Sequence, residues 1–486
     1  MNVFKKCAIS MIIIALVVAL SATATAETEI APRAKGIILL IGDGMGLNQV
    51  RVADIYAGRI LNKSLAVNSI LTRGVTTTFS ADSEVTDSAA AATALYSGYK
   101  CKNGAINILP DGRTVFTIGH AAKKAGLSVG VVSTTRLTHA TPAAVYSQSP
   151  KRDCEAYIAE QLPEFAPDVA LAGGQQYFIP RNESGSKRTD DKNLIEVMKS
   201  KGYSYVKDES ELKAVNPKTC DKLFGLFAKS HIDYALDREN EVSLKSQPSL
   251  ADMTKAALSI LERNPKGFFI MVEGGRIDHA CHAHDVKAAI CEMLDFDSAV
   301  AVALEFRKAH PDVLVIVTAD HETGGLGLGR GTEYALDVSA LQPIKNSLEY
   351  LNKKLKKDPA KANDLITAAG FEFTDKEKEL LQKHSPETQA SGVPELSGFP
   401  KINGYVLSWI HYVLGSITSE RAKIGWTSFA HTGQPVITWA VGPGDKEFSG
   451  SLDNTDIPKK MAKLLGVTLE QPVMRPSGSS AASECQ

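Results

Sequence analysis

The sequence has little net charge: among 486 residues, 54 basic side chains face 55 acidic ones, for a formal net charge of −1. That balance argues against a nucleic-acid or anionic-membrane partner, which needs a basic excess or patch. The lysine-rich run at 353–357 reads as a solvated helix face. Past the N-terminus, no stretch reaches the roughly 20 apolar residues of a membrane span. No cysteine pair shows the C-x-x-C spacing of a metal or redox site, and the seven cysteines make no compact disulfide framework. No segment repeats. The hydrophobic share, 44%, is ordinary for a globular chain.

What is present begins with a targeting segment. Lys5 and Lys6 precede an apolar core at 9–20, and Ala24-Thr25-Ala26 supplies a small-x-small cleavage pattern. Residues 1–26 are therefore expected to be a signal peptide, and the protein to be exported, periplasmic or secreted. An uncleaved anchor is the alternative, but the apolar run is short for it. Cys7 would leave with the peptide. Cys101, Cys154, Cys220, Cys281, Cys291 and Cys485 would remain, and export permits disulfides without choosing their pairing.

Apolar runs of strand length then alternate with helix-like segments. Gly36–Gly42 and residues 127–133, 167–173, 267–274, 312–318 and 436–442 read as strands. Continuous β-branched runs suit strands covered on both faces, and helices between them suit parallel crossovers. The expected fold is α/β: a three-layer sandwich with a large, mostly parallel central sheet flanked by helices, plus a helical insertion. Residues 285–310 form the longest helical pattern, with a break expected at 295–297. Residues 27–475 are expected to form the catalytic domain. A Lys- and Glu-rich subdomain is inserted at about 334–430, and the tail 476–486 is expected to be disordered.

Three acidic residues sit at the ends of strand-like runs: Asp43, Glu273 and Asp320. Ligands in open α/β sheets bind beyond the carboxyl ends of the strands, so these three should converge. Asp43 lies in IGDGMG, which alone reads equally well as a turn. Thr86-Asp87-Ser88 opens an Ala-rich helix, whose N-terminus suits an anion. Local sequence by itself favours a simple cap there. In EGGRIDHACH, Asp278 and His282 stand at i and i+4, on one helix face, where N and O ligands suit zinc. His284 and Asp285 follow but read as surface residues. TADHETGG adds the adjacent pair Asp320 and His321, and His431 precedes the last strand. Together these are more ligands than one metal needs.

These motifs resemble the alkaline phosphatases, in order and in spacing, from Gly36 to about Gly442. The resemblance implies hydrolysis of phosphate monoesters through a phosphoserine at Ser88, in a homodimer, with two zinc ions and one magnesium ion. It implies Asp43, Asp320 and His321, together with Ser88 itself, as ligands of one zinc, and Asp278, His282 and His431 as ligands of the second. Asp43, Thr141 and Glu273 would hold magnesium. Arg152, eleven residues beyond Thr141, would bind the phosphoryl group. A broad leaving-group range and a role in phosphate scavenging follow as expectations. A sulfatase would show C/S-x-P-x-R where Ser88 is followed by three alanines. A phosphodiesterase would usually lack the arginine, and a non-catalytic relative would have lost a ligand or the nucleophile. His139 and His279 stand where the best-known bacterial members carry Asp and Lys and vertebrate-type members carry histidines; two readings stay open, an ordinary magnesium site whose waters the histidines bind, and a third site less strictly selective for magnesium.

Overall fold

The structure is a computed structural model that describes residues 33–357, 362–383, 401–402, 405–406 and 409–474. The segment 1–26, expected to be a signal peptide, and the tail 476–486 lie outside the described residues, as does Cys485. Ten strands form the main sheet. In chain order they are β1 (Gly36–Gly42), β2 (Thr72–Thr77), β3 (Ser128–Arg136), β4 (Val169–Gly173), β5 (Ser204–Val206), β6 (Leu223–Leu226), β7 (Phe268–Gly274), β8 (Val313–Ala319), β9 (Val436–Val441) and β10 (Gly450–Asp453). Their spatial order is β10-β2-β9-β8-β1-β7-β3-β4-β6-β5. Only β9 runs antiparallel to its neighbours β2 and β8; the other pairings are parallel.

The central strands are buried on both faces, which is why they read as unbroken apolar runs. In β1, Ile38 and Leu40 enter one core, while Ile37, Leu39 and Ile41 enter the other. Two apolar layers thus flank one sheet, giving the α/β sandwich. The registers Gly42↔Gly274 and Gly42↔Ala319 bring the carboxyl ends of β7, β1 and β8 level with one another.

Helix Val286–Ala309 runs unbroken through 295–297, against the sequence expectation. Tertiary contacts outweigh the poor helix propensity of aspartate there. Asp295 pairs with Arg238 at 2.6 Å, and Asp297 accepts the backbone N–H groups of Ala66 (2.7 Å) and Val67 (3.0 Å). Within 334–430 the described elements include helices Leu348–Lys357, Ala362–Ala368, Asp375–Lys383 and Trp409–Ala422. Leu351, Phe371 and Leu414 from this region share a third apolar cluster with Val286 and Ile290 of the long helix. Among the described residues no helix is long and apolar enough to cross a membrane. Cys101, Cys220, Cys281 and Cys291 are free thiols, whereas Cys154 is disulfide-bonded.

Candidate active site

The level strand ends assemble the site. Asp43 directly follows β1, Asp320 and His321 follow β8, and Glu273 is the penultimate residue of β7. Helix Arg276–His282 leaves β7 at once and presents Asp278 and His282 on one face. His431 comes back from 110 residues beyond His321, on a two-residue strand paired with Glu322–Thr323. The three acidic strand-end residues do converge, together with both histidine motifs.

Three groups could each hold a cation: Asp278/His282/His431, Asp43/Asp320/His321 and Asp43/His139/Glu273, with ligand atoms in each group within 4.8 Å of one another. In the first, His282 Nε2 lies 3.3 Å and His431 Nε2 3.5 Å from Asp278 Oδ1. The Nδ1–H of His431 donates to the Thr86 carbonyl at 2.8 Å, and that of His282 to the Phe429 carbonyl. Their Nε2 atoms therefore face each other at 3.1 Å with a lone pair on His431. Only a proton or a cation between them relieves that approach. Burial holds the His431 imidazole down at about 4, so it stays neutral and able to ligate. Burial alone would push Asp278 up, but His282, His431 and His321 hold it well below the carboxylate range. Burial would lower His282, and Asp278 more than offsets that, so His282 rises.

The second group lies beside the serine. His321 Nε2 is 3.2 Å from Asp320 Oδ2, 3.5 Å from Asp43 Oδ1 and 3.2 Å from Ser88 Oγ. Thr323 fixes its tautomer. The single Thr323 hydroxyl proton goes to Asp278 Oδ1 at 2.5 Å, so His321 Nδ1, 3.3 Å from the Thr323 hydroxyl oxygen, must be the donor. His321 Nε2 is then a bare ligand atom. Burial is the largest cause raising Asp43 and Asp320, and neighbouring carboxylates add to it. Both Asp43 oxygens, Asp320 Oδ2, Glu273 Oε1 and Thr141 Oγ1 are buried with no hydrogen-bond partner. Buried carboxylates crowded together with orphaned oxygens are costly unless cations join them. The donor set thus fits metal ions.

Ser88 opens helix Ser88–Ser97, and Asp87 is the cap, accepting from Ala90 N at 2.9 Å. The capping expected from local sequence falls to Asp87, which leaves the Ser88 hydroxyl turned to His321. Arg152 sits against the same loop: its Nη1 is 3.0 Å from Asp87 Oδ2 and its Nη2 is 3.1 Å from His139 Nε2. Thr141 is buried on helix Ala140–Tyr146.

Several neighbours carried no sequence signal as site residues. Ser133 and Thr135 of β3 both donate to Glu273 Oε2, which leaves Oε1 free. His231 joins His139 and His279 in an imidazole cluster, with ring centroids 5.6 Å and 4.4 Å away. Burial holds all three well below the usual histidine value. Thr323 lies inside the TADHETGG motif, where its distance of two residues from His321 was the available clue. His284 and Asp285 are not the surface residues expected. His284 stacks between Phe429 (3.8 Å) and Trp426 (4.6 Å). Asp285 is buried, caps the long helix through Ala288 N, and accepts Leu348 N at 2.7 Å.

The alkaline phosphatase family profile matches residues 34–467. The chain belongs to the alkaline phosphatase family. Its members are phosphoric monoester hydrolases, metal-dependent as a family, and this chain is an enzyme of that class. Alkaline phosphatase 4 of Bacillus subtilis is 32% identical over 456 residues, covering 91% of each chain. The crystal structure of Thermus thermophilus alkaline phosphatase superposes with a TM-score of 0.80 at 31% identity, covering 95% of this chain and 98% of that one. The alkaline phosphatase of the Antarctic bacterium TAB5 was solved as a histidine-to-glutamate mutant with magnesium in its M3 site. It is 26% identical, with a TM-score of 0.64, covering 90% and 99%.

Proposed function

We propose that this enzyme cleaves phosphate monoesters in two steps through a phosphoserine at Ser88. The observation that carries the reading is the Ser88 hydroxyl at a helix N-terminus, 3.2 Å from His321 Nε2, with Arg152 held on the preceding residue. Ser88 Oγ gives up its proton to solvent water as it attacks phosphorus, the bond to the leaving oxygen breaks, and the released alkoxide takes a proton from solvent. Water then attacks phospho-Ser88, and inorganic phosphate leaves as the serine hydroxyl is restored. Arg152 orients the phosphoryl group with the N–H groups that Asp87 and His139 do not use. The N–H groups of the first helical turn add positive potential at the same place.

Asp43, Asp320 and His321 would hold one zinc ion, Asp278, His282 and His431 a second, and Asp43, Thr141 and Glu273 magnesium. Bound there, the ions supply positive charge that acidifies the serine hydroxyl and water and neutralises the attacking and leaving oxygens. His139 beside Asp43 and Glu273 adds an imidazole to the third group. A nitrogen donor tolerates zinc better than an all-oxygen set does, so this site discriminates less sharply for magnesium. Ser88 and Arg152 are the catalytic residues in this reading. Residues 27–475 act as one catalytic domain with its insertion at about 334–430. The enzyme is exported, works as a homodimer, reads leaving groups loosely and scavenges phosphate. The experiment is metal analysis of purified protein alongside hydrolysis of an aryl phosphate. The reading expects about two zinc and one magnesium per chain, activity lost to a chelator and restored by both ions. Full activity in metal-stripped protein would overturn it.

A further inference from the structure

The two ligand groups that flank Ser88 are held in different ways. Asp43 and Asp320 directly follow β1 and β8, whose ladder runs in register from Gly36↔Val313 to Gly42↔Ala319. Asp278 and His282 share one helix that leaves β7. His431 lies short of β9, which begins at Val436, and arrives only after the long excursion through 334–430. Its local support is the two-residue pairing Glu322↔Thr432 and Thr323↔His431, plus its own bond to the Thr86 carbonyl.

Glu322 stands at that junction, 2% exposed. Its two oxygens take four donors from three segments. Gln49 Nε2 (2.7 Å) and Leu326 N (3.2 Å) donate to Oε1. Gly325 N (3.1 Å) and the Thr432 hydroxyl donate to Oε2. Gln49 Nε2 also reaches the Thr323 carbonyl at 2.7 Å. Both carboxylate oxygens are thus spent on protein donors. Glu322 belongs to none of the candidate cation groups among the described residues. The GDGMG motif makes room for it: a Cβ on Gly46 would lie 2.2 Å from Glu322 Cγ. A methyl group there would collide, so the chain is shaped to admit this buried carboxylate between two ligand-bearing segments.

We infer that Glu322 is a positioning residue that fixes His431, through Thr432, in the Asp278/His282/His431 zinc group. A charge-assisted bond from the Thr432 hydroxyl ties the returning strand to the segment that carries His321. The turn amides of Gly325 and Leu326 keep Glu322 from following Thr432 outward. Loss of this tie frees His431 relative to Asp278 and His282 and weakens one zinc equivalent selectively. The other zinc group, anchored by the sheet ladder, is unaffected.

The inference rests on the two-zinc reading above, and the experiment separates the two. Metal-stripped full-length wild type, Glu322→Gln, Thr432→Val and Thr432→Ser are titrated with zinc against a chromogenic chelator. Outer partners of metal ligands are worth about 10–100-fold in affinity. Glu322→Gln and Thr432→Val should each raise the dissociation constant of one equivalent by about tenfold and leave the other at its wild-type value. Thr432→Ser, which keeps the hydroxyl, should match wild type. At saturating zinc, kcat should return with KM unchanged. Unaltered zinc affinity in both variants, or equal weakening of both equivalents, overturns the inference while the two-zinc reading stands. A wild type that takes up no zinc overturns the two-zinc reading, and this inference falls with it.

Discussion

Replacing Arg152 with alanine removes a half-buried cation that is held on Asp87, the residue before Ser88. Its guanidinium is preorganised. Asp87, which grips it at 3.0 Å, is itself held by Ala90 N and Gly104 N, each at 2.9 Å, and the Arg152 backbone N–H donates to Gly104 O at 2.8 Å. Of the five N–H groups on a guanidinium, one engages Asp87 and one His139, so three remain for a phosphoryl group. Hydrogen bonds to charged groups contribute about 1.5–3 kcal/mol each. Two of them at the lower end amount to about 3 kcal/mol, or about a 10²-fold loss in kcat/KM and in the inhibition constant for inorganic phosphate. Arg152→Lys keeps the charge without the fork and should recover about a tenth of wild-type affinity. Stability should change little, because Asp87 retains two amide donors. Steady-state kinetics with an aryl phosphate, phosphate inhibition and thermal unfolding measure all three. A phosphate inhibition constant within about twofold of wild type in Arg152→Ala would refute the reasoning, since even one charged bond is worth more.

Three further outcomes follow from the same geometry. Burial and the neighbouring carboxylates raise Asp43 and Asp320, burial raises Glu273, and Asp278 outweighs burial to raise His282. The metal-free folded state therefore keeps protons that the unfolded chain has released, and its stability should fall as pH rises above about 6.5, where unfolded histidines are no longer charged. The metal-loaded protein should show no such fall, and denaturant midpoints that rise with pH in stripped protein would contradict the argument. Glu349→Gln should cost about 3 kcal/mol, the lower end for breaking a buried pair, because Arg276 is 1% exposed, 2.7 Å from Glu349, and keeps its stacking on Tyr234; a denaturant midpoint close to wild type would count against it. His139→Asp with His279→Lys should alter the magnesium dependence of zinc-loaded protein, and superimposable activation curves would sink that idea.

The sequence made the sheet centre legible because burial on both faces leaves long apolar runs, and Asp43, Glu273 and Asp320 stand out where those runs stop. Asp278 and His282 were legible from helical spacing alone. The outer strands were not: β2 is TRGVTT, half exposed and split by a glycine, and β5 and β6 are three and four residues long. Asp295 and Asp297 looked like helix breakers because their partners, Arg238 and the amides of Ala66 and Val67, lie far away in sequence. His431 carried little weight alone, since its place depends on a chain return that no local pattern encodes. His231 had no signal at all. It meets His139 and His279 only through tertiary packing.

The central claim is a covalent phosphoryl group on Ser88. Labelled inorganic phosphate, mixed with metal-loaded enzyme and quenched in acid, should leave label on the peptide that contains Ser88. Ser88→Ala should carry none and should lose turnover severely. Label trapped on Ser88→Ala at the wild-type level would contradict the account, as would wild-type enzyme that turns over substrate and never carries label on Ser88.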